Sequence, residues 1–184
     1  MAQLSVFNFI TLNGAYKGPG GDIAWHRHGA EEQEFAAQGA NAESILLFGR
    51  KTYRMMASWW PTPMALQSMP DVARGMNASE KIVFSRTLKR ATWDNTRIIA
   101  SDPVRAIRRL KKERNGALTI LGSGSIVSLC AENGLIDDYQ IMVDPVLIGA
   151  GTPIAKRLTH IVDLQLVSHR VFSSGVVLLR YRPR

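Results

Sequence analysis

One short signal occurs twice in this chain and narrows its fold more than any other: an apolar, strand-like run ends in glycine and polar residues and passes into a helix. The first copy is Ile45-Leu46-Leu47-Phe48 followed by Gly49-Arg50-Lys51-Thr52, and the second is Leu118-Thr119-Ile120-Leu121 followed by Gly122-Ser123-Gly124-Ser125. A strand that delivers glycine to a helix start leaves backbone N–H groups unpaired, with the positive end of the macrodipole behind them. Such a place suits an anion. Two of them in 184 residues point to a ligand with several phosphates, such as a dinucleotide. Arg50 and Lys51 strengthen the point, because cations in a first turn oppose the macrodipole unless an anion sits there.

The rest of the chain alternates in the same way. The pattern predicts strands over Leu4–Ile10, Ile45–Phe48, Lys81–Ser85, Arg97–Ala100, Ala117–Leu121 and Tyr139–Val143. Helices are expected over Glu31–Ala40, Lys51–Ser58, Asp71–Asn77, Pro103–Arg114 and Ser125–Asn133, the last closed by Gly134. After Pro145 the rhythm changes, and Leu164–Phe172 and Val176–Tyr181 flank Ser173-Ser174-Gly175 as a hairpin. The expected fold is therefore α/β, a central mixed but mainly parallel sheet flanked by helices, with a C-terminal antiparallel hairpin. With 46% hydrophobic and 21% charged residues and no linker or low-complexity stretch, residues 1–184 read as one globular domain.

Several function classes recede on composition. No apolar run approaches the roughly 20 residues of a membrane helix, and Met1-Ala2-Gln3 does not open a signal peptide, so the cytoplasm is the expected compartment. The one cysteine, Cys130, lies among apolar neighbours in a predicted helix and reads as a buried structural thiol. The net charge of +8 is local: Lys81 to Arg114 holds 11 basic and 3 acidic residues. Part of it lies on the Pro103–Arg114 helix, where Asp102 is a cap, Val104, Ile107 and Leu110 form the apolar stripe, and the other face is cationic. No aromatic residue interleaves with these charges, so a solvated face is expected rather than a nucleic-acid surface.

The order of the motifs is similar to that of the dihydrofolate reductase-like superfamily, in particular the branch that includes the C-terminal reductase domain of bacterial riboflavin biosynthesis. The resemblance rests on Thr11-Leu12-Asn13-Gly14, Phe48-Gly49-Arg50-Lys51-Thr52, Val83-Phe84-Ser85-Arg86-Thr87, Gly122-Ser123-Gly124-Ser125, and Leu135-Ile136-Asp137-Asp138 leading to Asp144-Pro145. It implies an NADPH cleft across the sheet, with Gly49, Arg50, Lys51 and Thr52 at a helix start. Ser85, Arg86 and Thr87 would lie near the adenosine 2′-phosphate, and Gly122, Ser123, Gly124 and Ser125 along the pyrophosphate. The implied reaction is hydride transfer to a small heterocycle. The nearest named activity is 5-amino-6-(5-phosphoribosylamino)uracil reductase; a pterin or another small molecule is the alternative substrate, and a non-catalytic nucleotide or nucleic-acid module the alternative class.

The chain departs from that pattern at named positions. Asn13 stands where the family often has Asp, and an amide cannot act as an acid or base. Ser123 interrupts the usual glycine pair, which an outward-pointing side chain would accommodate, and Ser125 stands where the riboflavin enzyme tends to be acidic. No zinc-binding His and Cys set of a deaminase lies within these residues. Asp22, after Gly18-Pro19-Gly20-Gly21, is a candidate proton source or a turn residue, and Asn13, Trp25 and Trp60 are candidate substrate contacts. His26 and His28 lack further ligands nearby and read as turn or surface residues, so no metal is expected. Glu31, Glu32 and Glu34 fit a helix start and need no catalytic role, and Asp138 reads as a surface loop end. The apolar Val176–Leu179 hairpin points to an edge that pairs in a homodimer.

Overall fold

The structure, a computed structural model, describes residues 1–40 and 44–184. Its strands are β1 (Gln3–Thr11), β2 (Ala15–Lys17), β3 (Ser44–Gly49), β4 (Lys81–Phe84), β5 (Thr96–Ile99), β6 (Ala117–Leu121), β7 (Asp138–Asp144), β8 (Thr152–Pro153), β9 (Leu164–Val171) and β10 (Val177–Pro183). Its helices are α1 (Ala30–Ala40), α2 (Arg50–Ala57), α3 (Pro63–Ser68), α4 (Pro70–Ala78), α5 (Pro103–Glu113) and α6 (Gly124–Glu132). Eight strands form one sheet in the order β5-β4-β3-β6-β1-β7-β10-β9. The first six are parallel, β10 runs antiparallel to β7, and β9 antiparallel to β10, as the expected fold class requires.

The central strands are buried on both faces, which is why they read as continuous apolar runs. One face packs Leu4, Val6, Leu118 and Ile120 against Ile107 and Leu110 of α5 and Ile126 and Cys130 of α6. The other packs Leu46, Phe48 and Val83 against Tyr53 of α2, Val72 and Met76 of α4, and Trp93. Asp102 caps α5 as expected, its Oδ1 accepting from the N–H groups of Val104 and Arg105 at 3.0 and 3.2 Å. Arg105, Arg108 and Lys112 point to solvent, while Lys111 reaches Asp137 at 2.6 Å and ties α5 to the entrance of β7.

Three short elements escape the sequence pattern. Helix α3 is held by Thr62, whose Oγ1 accepts from the Ala65 N–H at 3.2 Å, and by Pro63 at its first position. Strands β2 and β8 pair in a separate two-stranded sheet. Both are too short to carry a period and exist because Asn13 clamps their loops together: its Nδ2 donates to the Ile148 carbonyl at 2.8 Å. Asp138 is a further correction. It is buried, with both oxygens held by the Arg180 Nε at 2.7 and 3.0 Å across the β7–β10 pair, a partner 42 residues away that local reading could not supply.

Candidate active-site rim

Because six strands run the same way, their carboxyl ends form one rim, where ligands of open α/β sheets bind. The two glycine turns lie there at the ends of β3 and β6, which pair directly. Gly122 (φ +57°) and Ser123 (φ +52°) are consecutive left-handed residues. A Cβ on Gly122 would come within 2.9 Å of Thr52 Cγ2, and one on Gly124 within 2.8 Å of the Tyr16 ring and 2.9 Å of the Ile154 carbonyl, so neither position tolerates a side chain.

Ser123 points inward, so its insertion between the glycines is accommodated by bonding rather than by an outward-pointing side chain. Its Oγ accepts from the Gly49 N–H at 3.0 Å, and its own N–H donates to Thr52 Oγ1 at 3.1 Å. These two bonds interlock the starts of α2 and α6 and offset the left-handed backbone of a non-glycine residue, which costs about 1–2 kcal/mol. Asn8 fixes the turn from below, donating to the Gly122 carbonyl at 3.0 Å. Thr52 is buried and spent on this lock, whereas Arg50 is half-buried and Lys51 and Ser125 are exposed. On the neighbouring strand, Phe84 lies opposite Gly49, and Ser85 follows it. Ser85 Oγ accepts from the N–H groups of Thr87 and Leu88 at 3.2 and 3.0 Å, a turn that holds Arg86 and Thr87 exposed beside the rim. The structure thus brings Gly49–Thr52 into contact with Gly122–Ser125 and sets Ser85–Thr87 one strand away.

The candidate substrate residues are placed less uniformly. Asn13 is spent on its clamp, with Oδ1 accepting from Thr11 Oγ1 at 2.8 Å. Asp22 is exposed and turns back on its own loop, its Oδ1 accepting from the Ala24 N–H at 3.1 Å. Trp60 packs against the Tyr53–Trp93 core, its indole N–H directed at Met56 Sδ at 3.1 Å. Trp25 stands apart from these: its Nε1 is buried with no hydrogen-bond partner among the described residues.

Next to Trp25 lies a polar cluster that sequence reading missed. His26 is buried, not superficial; its ring stacks on Phe9 at 3.7 Å, and its Nδ1 donates to Asp144 Oδ2 at 2.8 Å. The other Asp144 oxygen accepts from the Arg27 N–H at 2.8 Å. Glu32, expected to be an ordinary first-turn acid, is 3% exposed. One of its oxygens accepts from Ser174 Oγ, while Oε2 has no hydrogen-bond partner among the described residues. His28 is exposed and meets the His26 ring edge-on at 4.4 Å. Partial burial and the neighbouring His26 hold His28 below the usual histidine value, against the opposing pull of Asp144 and Glu32. Among the described residues no group of three or more His, Cys, Asp or Glu is arranged to hold a metal. Cys130 is buried, and burial pushes its thiol up to about 12, so it is inert.

A mainly parallel sheet, two interlocked glycine turns on its carboxyl rim and a C-terminal antiparallel pair define a dihydrofolate reductase-like α/β protein. Residues 2–178 match the RibD C-terminal domain family, and the chain belongs to it. The YyaP protein of Bacillus subtilis is 26% identical over 173 residues, 94% of this chain and 90% of that one. A putative riboflavin biosynthesis protein from a Shewanella species superposes with a TM-score of 0.78 at 20% identity, covering 100% of this chain and 99% of that one. Dihydrofolate reductase from Enterococcus faecalis, complexed with NADP(H), gives 0.70 at 14% identity, covering 99% and 96%.

Proposed function

We propose that this protein is an NADPH-dependent reductase of a small heterocyclic substrate, with 5-amino-6-(5-phosphoribosylamino)uracil reduction as the nearest named activity and a pterin or related molecule as the alternative substrate. The observation that carries the reading is the Ser123 lock. It consumes the Gly49 N–H and the Thr52 hydroxyl but leaves the next N–H groups of two adjoining helix starts at the rim, beside Arg50. That donor set suits a pyrophosphate, and the exposed Arg86 on its Ser85-capped turn suits a 2′-phosphate, a compact dianion that takes charge-assisted bonds. NADPH is therefore preferred over NADH. When bound, the dinucleotide supplies a hydride; the chain's own residues bind it, orient the acceptor and exclude water.

Titration with NADPH and with NADH, followed by tryptophan quenching, tests the cofactor. NADPH should bind more tightly, and Arg86→Ala should cost about 1.5–3 kcal/mol of that affinity while leaving NADH nearly unchanged. No binding of either dinucleotide would sink the reading. The rival class, a nucleic-acid module using the cationic face of α5, predicts binding that falls steeply with salt, with a log-log slope of about −0.9 per contacted phosphate. We further propose a cytoplasmic, single-domain protein that forms a homodimer; Val176 and Leu178 are buried and β10 lies inside the sheet between β7 and β9, so the pairing edge is β9 rather than the Val176–Leu179 run.

A further inference from the structure

The cluster at the ends of β1 and β7 sets a buried acid, a buried histidine and an exposed histidine side by side. Asp144 lies opposite Thr11 at the rim and is fully buried. It takes the His26 Nδ1–H at 2.8 Å on one oxygen and the Arg27 N–H at 2.8 Å on the other, so a single carboxylate fixes two consecutive residues of the loop that leads into α1. That bond sets the His26 tautomer and leaves Nε2 as the ring's second nitrogen. Phe9 closes one face of the His26 ring, and His28 stands across its edge at 84°. Arg27 anchors the same segment from the far side, its Nη1 donating to the Ser174 carbonyl at 2.9 Å. The segment is thus held at three points, and the one titratable ring it leaves exposed is His28.

From this geometry we infer that His28 is the acid that delivers the proton of the reduction, with His26 and Asp144 as positioning residues behind it. The inference rests on the reductase reading. Reduction of a C=N bond adds a hydride to carbon; the π pair moves to nitrogen, and nitrogen takes the proton from the His28 imidazolium. The neutral imidazole left behind regains its proton from water, to which His28 is open. The charges facing His28 are His26 on its own segment, Asp144 of β7 and Glu32 of α1. Partial burial first, and then His26, favour the neutral ring, while the two carboxylates favour the charged one; the balance holds His28 below the ordinary histidine value, so its acid form gains population as pH falls.

Two measurements decide the point. The first is ring-nitrogen NMR of His28, read against a blocked free histidine in the same buffer. His26 should keep its proton on Nδ1, and the His28 midpoint should lie below that of the free side chain. Asp144→Asn should move the His28 midpoint down and His26→Gln should move it up. A His28 that titrates as the free side chain and ignores both variants overturns the arrangement. In NADPH oxidation with C=N heterocycles, dihydrofolate first, His28→Ala should lower kcat about 100-fold or more while KM for NADPH changes less than about twofold. Added imidazole should restore part of the rate. Full activity in His28→Ala, or a loss that imidazole leaves untouched, overturns the acid role alone. A wild type that binds NADPH but oxidises none of it overturns the reductase reading and the acid role together.

Discussion

Ser123 and Lys81 each occupy a place that a generic residue could not. Ser123→Ala leaves the buried Gly49 N–H without its acceptor and should cost about 1–3 kcal/mol in a denaturant melt. Ser123→Gly loses the same bond but relieves the φ of +52°, so its cost should be smaller by about 1 kcal/mol. Lys81 is fully buried, and its ammonium donates to the carbonyls of Met76, Asn77 and Ser79 at 2.8, 3.1 and 2.7 Å, capping the end of α4 over the Trp93 ring. Burial brings its pKa down to about 8 from an ordinary 10.5. Between those values the unfolded chain holds a proton that the folded chain lacks, so stability should rise with pH across that window and be flat below it. Lys81→Met should abolish the slope and, by orphaning the carbonyls, cost about 2–4 kcal/mol at neutral pH. At this scale the sequence showed the glycine turns, because their chemistry is local, four residues at a time. It hid the His26–Asp144 pair, whose members are 118 residues apart. It also disguised Glu32, since an acid in a first helical turn already has a sufficient reason to be there.

At the scale of elements, α1 is tied to the β9–β10 turn by carboxylates. Both the N–H and the Oγ of Ser173 donate to Glu31 Oε2 at 2.6 Å, and these bonds hold the Glu31 carboxyl below its ordinary value. A carboxylate whose folded pKa is depressed gives stability that is present above the unfolded value of 4.5 and is lost as pH falls through the folded one. Hydrogen exchange at the Ser173 amide should therefore accelerate as pH falls below about 4.5, relative to a remote reference amide. Glu31→Gln should show weak protection there already at neutral pH, and an amide indifferent to both changes would show that the clamp does not hold the turn. Elements of five or more residues with a clear period were legible from the chain to within a residue or two at most ends. Those that were not, α3, β2 and β8, are made by a single cap or by contacts with a distant loop, and propensity carries no trace of such partners.

For the molecule as a whole, the two edges of the sheet differ in kind. β5 is four residues long and carries Arg97, paired with Glu80 at 3.7 Å, a short charged edge that resists pairing. β9 has eight residues, all but Leu164 exposed, including Leu166 (48%), Val167 (46%) and Val171 (65%). Half of its residues are apolar and Arg170 is the single Lys, Arg, Asp or Glu on it, so this long edge is lightly guarded and suited to pairing with another strand. Its one irregularity is the register shift against Arg180 and Tyr181. Antiparallel pairing of β9 with a second copy is a closed two-fold contact that leaves only the β5 edges outward, so assembly should stop at the dimer. Native mass measurements at micromolar concentration should give twice the chain mass. Leu166→Lys with Val171→Lys should give the single-chain mass while NADPH affinity stays unchanged, because the glycine turns lie on the far side of β1, β7 and β10 from this edge. A wild-type protein that is monomeric under those conditions removes the dimer, and with it any role for β9 beyond closing the sheet.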